Sequence, residues 1–362
     1  MNFENLIYTV FIFSLILQLF YKLYFNSRLI FLKSKSKIKD HPISVIICAR
    51  NEVENLRKNL PQILTQKYQH FEVIVVNDRS WDRSIEFLEK LKENEARLRI
   101  VNIPDNQTDH FGKKLAITLG IKAAKYNHLL FTDADCFPLS EFWIQEMSNG
   151  FDEEHQIVLG AGIYKKKKGL LNKLIRYDTA FIALNYLSFA KARIPYMGVG
   201  RNLGYSQEIY YLNNGFKSHY HLASGDDDLL VNQAANQKNT TVILNSNSLT
   251  ISKAKATWKS WIYQKKRHHT TNINYKKMDK AILGLQYIAS LLFYLSSFLL
   301  LFSSLRTIVL ILFLVNYFIS IFIFYKPFKT LMCKDLLWVY PFYEFILLIC
   351  QPIFQIKNKN SI

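Results

Sequence analysis

Apolar residues in this chain collect at its two ends. Leu6 to Tyr24 is an almost continuous apolar run. At about 19 residues it is long enough to cross a hydrocarbon core of about 30 Å. Ala281 to Phe302 and Thr307 to Tyr325 form two more runs, parted only by Ser303 to Arg306, which predicts a tight helical hairpin. Leu336 to Phe354 is a fourth, although it holds Pro341, Glu344 and Pro352. Its length of about 19 residues suffices for a span, and that reading is preferred over a re-entrant segment. The middle of the chain reads as an ordinary water-facing domain, so the expected plan is a folded domain between membrane segments.

Charge orients that plan. The formal net charge is +18. Much of it flanks the apolar runs, as at Lys33, Lys35, Lys37 and Lys39, and Lys326, Lys329 and Lys334 do the same further on. Lys and Arg beside a span mark its cytoplasmic side, so residues 28 to 280 are expected to face the cytoplasm. No Lys or Arg precedes the first run and no small-residue cleavage site follows it, which argues against a secretory signal. Positive charge placed this way points to membranes and phosphorylated ligands rather than nucleic acid. The four cysteines, Cys48, Cys136, Cys333 and Cys350, form no CxxC pair. They suggest neither a disulfide framework nor a zinc site.

From Ile43 onward the periodicity changes. Short apolar strands at 44–48, 72–76, 98–103 and 128–132 alternate with amphipathic helices at 54–66, 84–91 and 114–124. This alternation predicts a mostly parallel sheet covered by helices on both faces. Beyond Gly150 the pattern is less regular. A strand over 157–163, a long amphipathic helix over 170–192 and short strands over 242–244 and 249–251 are expected. A basic helix with interfacial aromatics is expected over 258–269.

Several clusters carry chemistry. Asp133 and Asp135 follow the fourth apolar strand, at the strand end where open parallel sheets bind ligands. Carboxylates two residues apart in a loop can share a hard divalent cation together with phosphate oxygens. Asp78 ends the second strand and can accept from a base or a ribose hydroxyl, while Ser80 or Asp82 can cap the next helix. Gly112-Lys113-Lys114 opens a helix and suits an anion, without the spacing of a Walker loop. In Gly225-Asp226-Asp227-Asp228 three adjacent carboxylates repel one another, so at least one should hold its proton more tightly and could serve as a general base. Arg267, in Gln264-Lys265-Lys266-Arg267-His268, could neutralise a diphosphate.

The order of these stretches resembles that of the inverting, membrane-integrated family 2 glycosyltransferases with the GT-A fold, a group that includes cellulose, hyaluronan and ceramide-glucoside synthases. The matching stretches are SVIICARNE (44–52), VIVVNDRSWDRS (73–84), GKKLAITLGI (112–121), FTDADCFP (131–138), GVGRNLGYS (198–206), SGDDDLLV (224–231) and QKKRH (264–268). The resemblance implies that Ala49, Arg50 and Glu52 lie against the nucleotide. It implies that Asp78 contacts the base, Lys113 the nucleotide region, and Asp133 the ribose, metal or diphosphate. Asp135 becomes the metal residue and a divalent cation, Mn²⁺ or Mg²⁺, the cofactor. The base falls in Asp226-Asp227, with Asp227 favoured and a one-residue ambiguity left by the triple Asp. Gln264 and Arg267 match the family's QxxRW motif, but His268 replaces its Trp, which counts against processive synthesis.

The expected organisation is an N-terminal anchor over 1–27 and a basic linker over 28–41. An α/β GT-A domain over 42–255, with a mostly parallel mixed sheet, precedes an amphipathic interfacial region over 256–280. Spans over 281–302, 307–325 and 336–354 complete a C-terminal region of 281–356. The expected activity is inverting transfer from a nucleotide sugar, UDP-linked by resemblance, to a membrane lipid, lipid-linked glycan or polysaccharide acceptor in the cell envelope. A processive polysaccharide synthase and a catalytically silent scaffold are the alternatives.

Overall fold

The computed structural model describes residues 3–32, 40–104 and 112–355. Half of the basic linker expected over 28–41, residues 33–39 with Lys33, Lys35, Lys37 and Lys39, lies outside these residues. The chain divides into two compact units. One comprises Met1–Leu32, Lys168–Ala192 and Ala256–Ile362; the other comprises Lys33–Lys167 and Arg193–Lys255.

Helix α1 (Phe3–Phe20) opens the chain. Strands and helices then alternate: β1 (Ile43–Ala49), α2 (Val53–Leu64), β2 (Phe71–Asp78), α3 (Ser84–Lys92), β3 (Leu98–Ile103), α4 (Lys113–Ala123) and β4 (His128–Asp133). Next come β5 (Phe137–Pro138), α5 (Trp143–Ser148), β6 (Ile157–Leu159), β7 (Gly162–Tyr164) and the long α6 (Leu170–Lys191). They are followed by β8 (Leu203–Ser206), α7 (Gln207–Leu212), α8 (Asp228–Ala234), β9 (Thr240–Val242) and β10 (Thr250–Ser252). Four helices close the chain: α9 (Trp258–Asn272), α10 (Lys277–Leu300), α11 (Arg306–Thr330) and α12 (Tyr340–Gln355).

The α/β unit is built on a seven-stranded sheet in the order β3-β2-β1-β4-β8-β6-β9. β1 to β4 are mutually parallel, β8 runs antiparallel to β4 and β6, and β9 is parallel to β6. The chain passes from β3 at one edge to β4 on the far side of β1. This makes the β1/β4 boundary a topological switch point, where a crevice forms beyond the strand ends. Both faces of β1 and β2 are buried, which is why their sequences are continuous Val and Ile runs instead of alternating ones. Helix α2 buries Leu56, Asn59, Leu60, Ile63 and Leu64, the i, i+3, i+4, i+7, i+8 spacing of one helical face, with Pro61 outside that set. Helix α4 lies close on the sheet at Gly120, where a Cβ would stand 2.7 Å from Ile46 Cγ2.

Residues 157–163, expected as a single strand, are two. β6 pairs in the large sheet, whereas β7 joins β10 and β5 in a separate three-stranded sheet. The break falls at Gly160-Ala161, where Asn202 Nδ2 donates to the Ala161 carbonyl at 2.9 Å. The same carbonyl accepts the Thr250 amide at 3.3 Å, so past the break the chain pairs with β10 instead of the large sheet.

The helical unit holds α1, α6 and α9 to α12. Among the described residues four stretches, Phe3–Leu29, Lys277–Leu300, Arg306–Thr330 and Lys334–Gln355, are long and apolar enough to cross a membrane. Phe11 of α1 stacks on Phe293 of α10 with ring centroids 5.5 Å apart. Lys22, in a π-helical turn (Tyr21–Phe25), donates to Gln18 Oε1 and Asn316 Oδ1, each at 2.9 Å. Arg176 of α6 forks onto both carboxylate oxygens of Asp335 at 3.0 and 2.8 Å. The place of α6 in this unit follows from that clamp and from the Lys265–Asp178 ion pair at 2.9 Å, which joins α9 to α6.

Candidate active site

The carboxyl ends of β1, β2 and β4 bring Ala49, Asp78 and Asp133 to one edge of the sheet, because the parallel register aligns Ala49 with Asn77 and Cys48 with Asp133. Asp78 is buried and accepts from Arg79 Nε at 2.8 Å. The turn after β2 is tied to the turn after β1. Ser80 Oγ accepts the Asn51 amide at 2.9 Å, and Asn51 Oδ1 accepts the Trp81 amide at 2.9 Å. Asp82 serves both helices, accepting the Val53 amide at the start of α2 and the Ser84 amide at the start of α3, each at 3.0 Å. Of the two capping candidates in this stretch, Ser80 and Asp82, Asp82 takes the helix-start amides, although the N-cap positions themselves are Glu52 and Arg83. Arg50 is exposed, with its guanidinium carbon 5.7 Å from the Trp81 ring centroid. Glu52 immediately precedes α2, at its N-cap position, and accepts from Asn55. Burial first, then Asp135, Asp133 and Asp82, push its carboxyl above the usual range.

The loop after β4 carries Asp133, Ala134 and Asp135. Asn59 of α2 holds it by donating to the Ala134 carbonyl at 2.9 Å. Asp133, Asp135 and Cys136 offer ligand atoms that all lie within 4.8 Å of one another. The Cys136 thiol is pushed well above its usual range by burial and by Asp133 and Asp135, so it stays protonated and donates to Asp135 Oδ1 at 3.3 Å. That leaves carboxylate oxygens as the donor set, which suits a hard divalent cation. Desolvation, and then Asp133, raise the Asp135 carboxyl.

Lys113, the first residue of α4, joins this loop to the acidic cluster. Its ammonium pairs with Asp133 Oδ1 and stands 3.5 Å from Asp226 Oδ2. Asp227 caps α8 by accepting the Asp228 amide at 2.8 Å, and its Oδ2 accepts the Gly200 amide at 2.6 Å. Burial, then Asp226 and Asp228, push the Asp227 carboxyl up to about 7, against the opposing pull of Lys113 and the Gly200 amide. Cys48, Lys113, Thr132, Gly200, Asp226 and Asp227 line one narrow pocket. Asp133, Lys113, Asp226 and Asp227 are therefore brought together. Gln264 and Arg267 stand on α9 in the helical unit, where Trp261 packs edge-on to Phe354 at 5.4 Å.

Three residues of the site are not evident from the sequence. Gly200 supplies the amide to Asp227. Asn202 fixes the same loop by accepting from Trp143 Nε1 at 3.0 Å and donating to the Ser248 carbonyl at 2.6 Å. The stretch GVGRNLGYS signals both without revealing their partners. The third, Lys114, looks in sequence like a second copy of Lys113.

Residues 44–210 match the family model described as Glycosyl transferase family 2. Over 93 residues the chain is 34% identical to a poly-beta-1,6-N-acetyl-D-glucosamine synthase of Staphylococcus aureus, a match covering 26% of this chain. The chain spans about a fifth of that relative's length, 21%. An uncharacterised glycosyltransferase of Bacillus subtilis is 30% identical over 129 residues, covering 35% of this chain and 38% of the relative. Among solved structures, a mannosyltransferase from Pyrobaculum calidifontis, determined with GDP-Man and Mn²⁺, superposes with a TM-score of 0.58. It is 16% identical, with 96% of this chain and 98% of that one covered. The fold of the α/β unit is accordingly GT-A-like, and its residues 44–210 are similar to the family 2 glycosyltransferase domain.

Proposed function

We propose that the chain is a membrane-bound, inverting glycosyltransferase that moves one sugar from a nucleoside diphosphate sugar to a lipid or lipid-linked glycan acceptor. The observation that carries this reading is the shared pocket of Lys113, Asp226 and Asp227, joined through Lys113 to Asp133 of the acidic loop. An acidic loop that can bind a cation and a carboxyl that titrates near neutral pH are what single-displacement glycosyl transfer requires.

The donor's nucleotide would lie against Ala49, Arg50, Glu52 and Asp78, with Asp133 and Lys113 toward the ribose and diphosphate. Asp135, helped by Asp133, would hold a divalent cation, Mn²⁺ or Mg²⁺, which when bound supplies charge neutralisation for the diphosphate. The structurally similar mannosyltransferase, solved in complex with GDP-Man and Mn²⁺, is consistent with that pairing of cation and nucleotide sugar. Asp227 in its ionised form takes the proton of the acceptor hydroxyl. The acceptor oxygen bonds to the anomeric carbon as the bond from that carbon to the phosphate oxygen breaks, and the nucleoside diphosphate leaves from the opposite face. Arg267 is proposed to neutralise the leaving group, with Gln264 as a further contact to the nucleotide sugar. Residues 28 to 280 are proposed to face the cytoplasm, and the aromatic and basic residues of α9 favour an acceptor held in the membrane.

The test is a panel of nucleotide sugars presented to the purified protein in lipid, scoring released nucleoside diphosphate and the anomeric configuration of the product. Products are then partitioned between solvent and water. Inverted product in the lipid phase supports the reading. Retained configuration overturns the mechanism, and label confined to the water phase overturns the acceptor class. The Staphylococcus aureus synthase match favours a second reading, processive polymer synthesis, which product length separates from single transfer.

A further inference from the structure

Lys113 and Lys114 are neighbours on α4, so their side chains diverge by about 100° around the helix. Lys113 turns to the carboxylates of the site. Lys114 turns to the stretch that leads into them. Its ammonium donates to the carbonyls of His219 at 2.8 Å, Leu222 at 2.6 Å and Ser224 at 2.6 Å. Lys114 is only 4% exposed. An ammonium has three donors, and three backbone carbonyls use them all. Among the described residues no carboxylate lies within ion-pairing distance of Lys114; the compensating field comes from Asp226, Asp228 and Asp227.

A buried cation without a direct counter-ion is costly, and a core-facing apolar residue would serve packing as well. What the cation adds is geometric. The stretch from Asn213 to Ser224 has little regular structure, with only a short 3-10 turn at Lys217–His219. It ends at Gly225, whose φ of 98° swings the chain into Asp226, Asp227 and α8. Gathering three carbonyls at one point fixes the direction from which that turn is entered.

We propose that Lys114 is the positioning residue for the general base: by holding the carbonyls of His219, Leu222 and Ser224, it sets where Asp227 stands in the pocket. This inference rests on the assignment of Asp227 as base. It predicts that Lys114 acts on turnover through Asp227 and does not act on donor binding.

The experiment is a double-mutant cycle with the full chain in lipid, using Lys114→Met, Asp227→Asn and the double variant. Turnover and the affinity for the nucleoside diphosphate are measured for each. Lys114→Met keeps most of the stem and removes the donors. Its kcat should fall about 10²-fold, as for a catalytic group displaced by about 1 Å. Nucleoside diphosphate affinity should stay within about threefold, and Lys114→Arg should recover part of the loss. Because the effect passes through Asp227, the double variant should be no slower than Asp227→Asn alone, within about threefold. Wild-type turnover in Lys114→Met would overturn the inference. So would loss of nucleotide affinity in step with kcat, or a second, independent 10²-fold loss in the double variant. An active Asp227→Asn enzyme would instead overturn the base assignment itself, whereas an inactive one beside a normal Lys114→Met enzyme would overturn only the role of Lys114.

Discussion

The Gly200 amide donates to Asp227 Oδ2 at 2.6 Å, so one lobe of this carboxyl is fixed by backbone while burial and two carboxylate neighbours raise its proton affinity. Asp227→Asn preserves the shape and removes the proton acceptor. Turnover should fall about 10²–10⁴-fold, the usual contribution of a positioned base, with nucleotide affinity nearly unchanged. Asp228 already accepts the Leu229 amide at 2.8 Å, and Asp228→Asn should do less harm. Turnover of Asp226→Asn, Asp227→Asn and Asp228→Asn, measured side by side, checks the register. An inactive Asp226→Asn enzyme beside a normal Asp227→Asn enzyme would move the base by one residue.

The pH profile follows with a definite sign. A base must be ionised, and the Asp227 carboxyl titrates at about 7, so kcat/KM should rise through that pH and level off above it. The limb should be missing from the residual activity of Asp227→Asn. A flat profile from about pH 5 to 8 in the wild-type enzyme would contradict the assignment.

Metal dependence rests on Asp133 and Asp135. Excess chelator should abolish transfer, and Mn²⁺ or Mg²⁺ should restore it. Asp135→Asn should lose most activity, because a carboxamide is a poorer ligand for a hard cation. Full turnover in chelator is the result that would sink this prediction.

Topology can be read by labelling. Lys90 is exposed near the end of α3, so a Lys90→Cys protein should resist membrane-impermeant thiol reagents in intact cells and react once the cells are opened. Ready labelling from outside would reverse the orientation.

Gly120 offers a stability test away from the chemistry. A Cβ there would meet Ile46 Cγ2 at 2.7 Å and Val76 Cγ2 at 3.1 Å. Gly120→Val should therefore destabilise the α/β unit by about 1–3 kcal/mol, as overpacking does, and thermal unfolding would show it.

The first half of the α/β unit is readable in the sequence because β1 and β2 are buried Val and Ile runs, β4 is a buried Leu and Phe run, and the helices between them show an apolar face. The ends of β1 to β4 fall within about two residues of the sequence expectation. The later half is less readable because its strands are short and their partners distant in sequence. β8 lies inside GVGRNLGYS, with no alternation to mark it. β6 and β7 look like one strand in sequence, because nothing local shows that Asn202 claims the carbonyl between them. In the site, the carboxylates are legible as motifs. The groups that orient them are not. The Gly200 amide has no side chain to read, Asn59 looks like a helix-surface residue, and Lys114 is distinguished from Lys113 only by the direction it faces.

The polar triangle of Lys22, Gln18 and Asn316 bears on how the protein can be handled. Asn316 Nδ2 donates to Gln18 Oε1 at 3.1 Å, and Lys22 donates to both amides. The N-terminal helix thus supplies both partners of a buried amide on α11. Cutting the chain ahead of β1 to obtain a soluble fragment would do more than release a tether. It would leave Asn316 facing an apolar interior without these two partners, and would strip Phe293 of the Phe11 ring stacked on it. The first helix behaves as a wedge of the bundle, and expression strategies that treat it as a dispensable leader should yield a helical unit that fails to assemble.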